Sequence, residues 1–413
     1  MSGVTRVRGT YLLLTLLATL AQSMIWGVNT LFLLDAGLTN TQAFAANAVF
    51  SFGQLVFEVP TGVVADTRGR RTSYLLGSAT LLAATLLYLY LWSVGAPFIA
   101  WALASAMLGL GFTFFSGAVE AWLVDALAAH GFSGSLDQVF GQGQAAYGVA
   151  MLVGAVAGGF IAEAGTLGTP YVVRSALLVV LIVIAAALMR DEGFSPDRSL
   201  RATEAAKGIL RASAEFGWRN RPVRWLMLTA PALSGMIWYV FYAMQPYLLE
   251  LYGDSQAYGV AGIVSAVVAG TQILGGLAVP LLRRLVRLRT SLLMAVAGIG
   301  ALAMVVIGLG RSVWVVVGGF VLWSLTYSSG TPVRQGFINR CLPSAQRATI
   351  LSFDALLGSA GGTVTQPVLG RVADVGGYGA SYLVAAVFQL TALPFVWLAR
   401  REHASADIVD TGT

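Results

Sequence analysis

Glu58-Val59-Pro60-Thr61-Gly62-Val63-Val64-Ala65-Asp66-Thr67-Arg68-Gly69-Arg70-Arg71 is a short charged turn joining two segments too apolar for water. A turn of that composition belongs at a membrane surface, and Arg68, Arg70 and Arg71 mark its side as cytoplasmic. Glu58 lies about two helical turns before Asp66, at a depth where a carboxylate is costly and is usually functional.

The rest of the chain extends that reading. Of 413 residues, 57% are hydrophobic and 11% charged, and the mean hydropathy is +0.76. This is more apolar surface than a water-soluble domain buries. The formal charge of +6 does not indicate nucleic-acid binding, because the basic residues sit in short connections between apolar spans, as the positive-inside rule requires. Cys341 is the sole cysteine, which excludes an intrachain disulfide. The first apolar segment, from Tyr11 to Leu34, is too long for a signal-peptide core and lacks a small-residue cleavage site, so it reads as a retained helix.

With about 20 apolar residues per crossing, twelve spans are expected, near 10–34, 42–64, 73–94, 97–122, 138–163, 169–189, 222–250, 256–282, 288–310, 313–333, 347–371 and 378–399. The expected fold class is therefore all-α integral membrane. Residues 1–189 form an N-terminal six-helix bundle, 190–221 a cytoplasmic linker, and 222–413 a C-terminal six-helix bundle with a short tail. Arginines at 6 and 8, in 68–71, in the central linker, in 283–289, and at 340, 347, 400 and 401 alternate with arginine-poor connections, which places both termini in the cytoplasm of a multi-pass inner-membrane protein; Arg174, Arg311 and Arg371 fall toward the other face. Within the linker, residues 200–218 fit either an amphipathic surface helix or a solvated segment with helical tendency.

The two halves repeat one another. Met24-Ile25-Trp26 recurs as Met236-Ile237-Trp238 (236 − 24 = 212), and Arg71-Thr72-Ser73 as Arg289-Thr290-Ser291 (289 − 71 = 218). Gly159-Phe160-Ile161-Ala162-Glu163 recurs as Gly370-Arg371-Val372-Ala373-Asp374 (370 − 159 = 211). Duplicated six-helix bundles related by an axis along the membrane normal are expected to hold a cavity near the midplane, where alternating access operates.

The stretch from Gly62 to Arg71 resembles the loop signature of the major facilitator superfamily, G-x-x-x-D-x-x-G-R-R, between its second and third helices. Glu58-Val59-Pro60-Thr61-Gly62, the Ser116-Gly117-Ala118-Val119-Glu120-Ala121-Trp122 run with Asp125, and Arg347-Ala348-Thr349-Ile350-Leu351-Ser352 resemble a prokaryotic branch usually assigned to drug or small-molecule efflux. The resemblance implies a cytoplasmic gate made of Gly62, Asp66, Gly69, Arg70 and Asp125. In it Asp66 abuts the start of the eleventh helix and Arg70 meets Asp125 at the end of the fourth. The glycines permit close approach and a tight turn. The equivalent loop of the second half, residues 280–289, keeps the basic residues but lacks the Gly and Asp.

Intramembrane acids are the candidates for proton coupling. Asn47, Ser51, Gln54 and Glu58 form one polar stripe along the second helix. Glu58 is the leading proton carrier, the competing reading being a bond to backbone groups freed near Pro60. Glu120 and Arg334 occupy equivalent places in the halves (334 − 120 = 214) and are either an ion pair across the halves or separate helix-end anchors; Asp354 is a further partner for Arg334 or for the gate. Asp35 reads as an interfacial cap. Trp26 and Asn29, Trp238 with Tyr242 and Gln245, and Trp323 with Tyr327 each share a helix face. Together with Gln54, Tyr147 and Gln272 they are substrate-cavity candidates for an amphipathic organic ligand, or else belt and packing residues.

Other chemistries find no support. His130 and His403 are the only histidines, no Cys/His cluster has metal-ligand spacing, and no Walker loop accompanies the single lysine, Lys207. An ion gradient is the natural energy source for a non-enzymatic, cofactor-free membrane protein whose partners are protons, the lipid bilayer and a small-molecule substrate, acting as a monomer. The expected function is proton-coupled antiport, a multidrug or small-molecule efflux; symport or facilitated uptake of a metabolite is the alternative within transport, and a receptor or lipid scramblase the alternative outside it.

Overall fold

A computed structural model describes residues 3–408, apart from Ser116, 197–203, 205–206, 209–210, 212 and 344–345. The expected amphipathic segment at 200–218 therefore lies partly outside the described residues, which there include a π-helical turn, Ser213–Trp218. The remaining architecture is helical: α1 (Gly3–Ser23), α2 (Asn29–Asp35), α3 (Asn40–Arg68), α4 (Arg70–Val94), α5 (Phe98–Thr113), α6 (Ala118–Ala129), α7 (Leu136–Ala164) and α8 (Thr169–Leu188). After the linker come α9 (Arg221–Met227), α10 (Ala230–Leu233), α11 (Ile237–Tyr252), α12 (Tyr258–Leu285), α13 (Arg289–Leu309), α14 (Val313–Arg340), α15 (Arg347–Leu390) and α16 (Ala392–Arg401). Among the described residues, ten stretches are long and apolar enough to cross a membrane.

Two local effects account for the difference from twelve. The first span is divided at residues 24–28, where Trp26 and Val28 donate to carbonyls three residues back and the helix resumes at Asn29. The eleventh and twelfth spans form one helical run, Thr349–Arg401, bent at Gly377 with φ 77° and ψ 170°, a conformation open to glycine. Counting the divided first span and separating the last run at Gly377 restores the twelve-helix plan.

The Met-Ile-Trp repeat marks a corresponding interruption in each half. Met24-Ile25-Trp26 lies between α1 and α2, and Met236-Ile237-Trp238 lies where α10 gives way to α11. Interrupted membrane helices supply free backbone groups and recur at transport sites.

The chain packs as two compact units: Met1–Leu38 with Val49–Ala205 and Gln256–Ala266, and Thr39–Ala48 with Ala206–Ser255 and Val267–Thr413. In the first, α1 packs on α6, α7 and α8, and α4 on α5, α6 and α8. Small residues bring α1 and α7 together: a Cβ at Gly154 would overlap the Ser23 hydroxyl, one at Gly158 would overlap the Met24 carbonyl, and the Ser23 hydroxyl donates to the Ala150 carbonyl at 3.1 Å. In the second unit α13 packs against α14, α15 and α16, and α10 against α15.

The third sequence repeat is also structural. Glu163 Oε2 accepts the Gly259 N–H at 2.8 Å at the start of α12 in the first unit. In the second, the Asp374 carboxylate accepts the Asn40 and Thr41 N–H groups, each at 2.9 Å, at the start of α3. Each acid fills the anion-favouring end of a helix.

Candidate functional site

In the second unit, α9 stops at Met227, and the Leu226 carbonyl, which accepts the Thr229 N–H at 3.0 Å and the Thr229 hydroxyl at 2.6 Å in the turn after it, takes a further partner from outside the helix. Arg334, from α14, fills that position. Its Nε donates to Thr229 Oγ1 at 2.9 Å and to the Leu226 carbonyl at 3.3 Å, and its Nη2 to the same carbonyl at 2.9 Å. The opposite edge of the guanidinium meets Asp354, two turns into α15: Nη1 to Oδ2 at 2.7 Å and Nη2 to Oδ1 at 2.5 Å. Arg334 is 6% exposed and Asp354 7%. A cation at a helix C-terminus and a two-pronged carboxylate pair are both favourable, which permits a charge pair this deep in the fold.

The pair forms part of the wall of a cavity of about 320 Å³. Ser234, Ile237 and Trp238, at the α10–α11 interruption, form one side, with Leu293 and Val296 of α13 and Trp323 and Tyr327 of α14 on others. Trp323 and Tyr327 stack with ring centroids 5.6 Å apart; Trp238 stacks on Tyr242 at 5.9 Å. Gln389 ties this wall together, accepting from Trp323 Nε1 at 3.2 Å and donating to the Ala297 carbonyl at 3.0 Å. The result is an aromatic and apolar chamber with one neutralised charge pair, the usual composition of a small-molecule site.

The structure sorts the sequence candidates. Trp238, Trp323, Tyr327, Arg334 and Asp354 converge on this cavity; Tyr242 and Gln245 are buried in α11 but do not line it. Gln272 is half-buried in α12. Trp26 is half-buried in the interruption of the first span, and Asn29 accepts the Tyr171 hydroxyl at 3.1 Å. Along α3, Asn47 and Ser51 are buried, Gln54 is half-buried and Glu58 is exposed, so the stripe becomes more open along the helix toward Arg68. Tyr147 is exposed on α7. Glu120 is exposed in the first turn of α6, near enough to the Tyr11 and Tyr74 phenols to interact electrostatically. Asp35 accepts from Trp92 Nε1 at 2.8 Å.

The charged turn differs from its expected form. Gly69 alone separates α3 from α4, and Arg70 pairs with Asp66 at 2.6 Å. Its expected partner Asp125 is half-buried in α6. Arg70 also lies over the Phe194 ring at 5.7 Å. Gly62 is inside α3, and a Cβ there would meet nothing within 4 Å, so close approach is not its role in this structure. At Gly69 the close neighbour is Asp191, whose carboxylate a Cβ would overlap.

Asp191 escaped the sequence reading. Its Oδ1 accepts the N–H of Arg71, the second residue of α4, at 2.9 Å. Burial pushes its carboxyl above the usual range against the opposing pull of the Arg71 N–H and the Arg71 and Arg70 charges. Beside it Glu192 accepts from Arg6 and His130, each at 2.6 Å; burial alone would raise this carboxyl, but these partners hold it below the usual range. The second half has its own version. Asp407 accepts the N–H of Thr290, the second residue of α13, at 2.8 Å and the Thr290 hydroxyl at 2.7 Å. An acid following the last span of each half thus caps that half's third helix (407 − 191 = 216). The faint signal was an Asp shortly after each terminal span. Arg174 is buried near the start of α8, close to the Tyr88 phenol.

An α-helical, multi-pass membrane protein of duplicated plan with a ligand-sized cavity has the build of a secondary transporter. The chain belongs to the Major Facilitator Superfamily, whose pattern it matches over residues 11–325. No curated protein matches it. Among solved structures, the nucleoside transporter NupG is similar at 12% identity, covering 96% of this chain and 99% of that one with a TM-score of 0.74. A bacterial homolog of the human lysosomal transporter Spinster is similar at 15% identity, with 98% and 99% covered and a TM-score of 0.72. A D-xylose-proton symporter is similar at 16% identity, with 96% and 97% covered and a TM-score of 0.66. Identities this low establish a shared fold.

Proposed function

We propose that the protein is a proton-coupled secondary transporter of a small amphipathic organic compound, working by alternating access in the cytoplasmic membrane with both termini inside the cell. The observation that carries this reading is the buried Arg334–Asp354 pair in the wall of an aromatic cavity. Coupling requires a group whose charge changes on proton uptake and a ligand space that feels the change, and Asp354 supplies both. Glu58, at the open end of its polar stripe, is the second proton candidate, and Glu120 the third. The gate role of Asp66, Gly69 and Arg70 belongs to the same reading.

The sequence resemblance favours antiport, in which an inward proton drives efflux and proton and substrate exclude one another. Symport is the second reading, and the hold on Arg334 favours it: Leu226 and Thr229 keep the guanidinium in the wall when a proton reaches Asp354, leaving a positive site for an incoming ligand. Proteoliposomes under an imposed proton gradient distinguish the two by the side on which labelled organic acids, amines or neutral compounds accumulate. With Glu58→Gln, loss of gradient-driven accumulation supports Glu58 as a carrier and unchanged coupling removes it. A receptor or scramblase would respond to neither the gradient nor the substitution.

A further inference from the structure

We infer that the cavity of the second unit binds an organic monoanion together with one proton, the anion on Arg334 and the proton on Asp354. The inference rests on the cavity being the substrate site.

Charge balance carries the argument. Among the residues lining the cavity, from the helices at 221–252, 289–309, 313–340 and 347–390, the charged or titratable ones are Arg334, Asp354 and the phenol of Tyr327. With the pair intact the wall is neutral. A cationic ligand would add a charge with no anion free to meet it unless Arg334 withdrew from Asp354, and the Leu226 carbonyl and Thr229 hydroxyl oppose that withdrawal. An anion meets the reverse situation. The Nη1 and Nη2 edge that Asp354 occupies is the two-pronged geometry a ligand carboxylate or phosphate uses, and the remaining bonds keep it aimed while the partner is exchanged. Asp354, buried and displaced from its counterion, takes one proton from water, and the wall is neutral again. Trp238, Trp323 and Tyr327 with Leu293 and Val296 then surround the body of the ligand, which specifies an apolar or aromatic one.

The test uses the purified full-length chain, with naphthylacetate, the neutral naphthylacetamide and the cationic naphthylethylamine as probes, read by tryptophan quenching and calorimetry. Naphthylacetate is expected to bind best, with affinity rising as pH falls, by up to about tenfold per unit for one linked proton. Calorimetry in buffers of different ionisation enthalpy is expected to count about one proton taken up per ligand. Asp354→Asn, already neutral, is expected to bind the anion with no pH dependence and no proton uptake; Arg334→Gln loses the preference for the anion. The wild-type measurements decide the matter without either variant. Preference for the amine or amide, an anion affinity indifferent to pH, or no anion binding overturns the inference. Binding with proton uptake but no flux in proteoliposomes leaves the inference standing and refutes the transporter reading. Gradient-driven flux of the anion without proton uptake on binding does the opposite.

Discussion

Gly69 holds φ at 109° with its missing Cβ directed at the Asp191 carboxylate, so backbone conformation and contact both exclude a side chain there. Gly69→Ala is expected to lower stability by about 1–3 kcal/mol. Gly62→Ala, in a helix interior with open space around it, is expected to be neutral or to gain up to about 1 kcal/mol. Thermal unfolding of the two variants in one detergent measures the contrast; equal losses would contradict the placement. Neighbouring acids add a pH signature. Glu192, with its folded-state pKa lowered, contributes stability that is present above the ordinary carboxylate range and lost as pH falls through the lowered value. Asp191, with its pKa raised, contributes stability below the ordinary value that is lost as pH rises through the raised one. Glu192→Gln is therefore expected to flatten the acid-side fall of the melting temperature, and Asp191→Asn to steepen it. Parallel curves for wild type and both variants would refute these assignments.

At the scale of the helix, the second half recovers through its tail what its loop at residues 280–289 lacks. Residues 280–289 carry no aspartate, yet the start of α13 is closed by Asp407, while Arg289 Nη1 donates to the Ala406 and Ile408 carbonyls, each at 2.5 Å. Arg289 and Asp407 are both buried, at 3% and 4% exposure. Asp407→Ala uncaps α13 and is expected to cost about 0.5–2 kcal/mol, with faster amide exchange confined to its first turn. Unchanged exchange at residues 289–292 would show the strap to be incidental. The interrupted helices follow the same local logic. The Leu226 carbonyl, shared with the Thr229 N–H and hydroxyl in the turn after α9, also anchors Arg334, so the interruption in the seventh span and the charge pair meet at one place.

Across the molecule, the twelve-helix plan was legible because apolar spans and arginine placement are properties of contiguous sequence. The repeats at Met24, Gly159 and Arg71 were legible too, and each now has a physical correlate: an interrupted helix, a carboxylate at a helix start, and a capped third helix. Partner choice was less legible. Arg334 could be matched to Glu120 by repeat arithmetic or to Asp354 by proximity along the fold, and the side-chain geometry selects Asp354 as its salt-bridge partner. Arg70 was matched through family resemblance to Asp125, whereas its ion pair is with Asp66, one helical turn away. Asp191 and Asp407 went unnoticed because a cap donated from a distant segment leaves no periodic trace. The interrupted first and seventh spans were hidden for a related reason: hydropathy runs straight across a break that backbone hydrogen bonds define.

Asp354 is proposed to carry the coupled proton, and substrate-evoked proton flux reads that role out. In proteoliposomes loaded with a pH-sensitive dye, adding transported substrate to the wild-type protein is predicted to change the internal pH. Asp354→Asn, reconstituted at equal density, is predicted to give no such change. A proton flux in Asp354→Asn equal to that of the wild type would contradict the account.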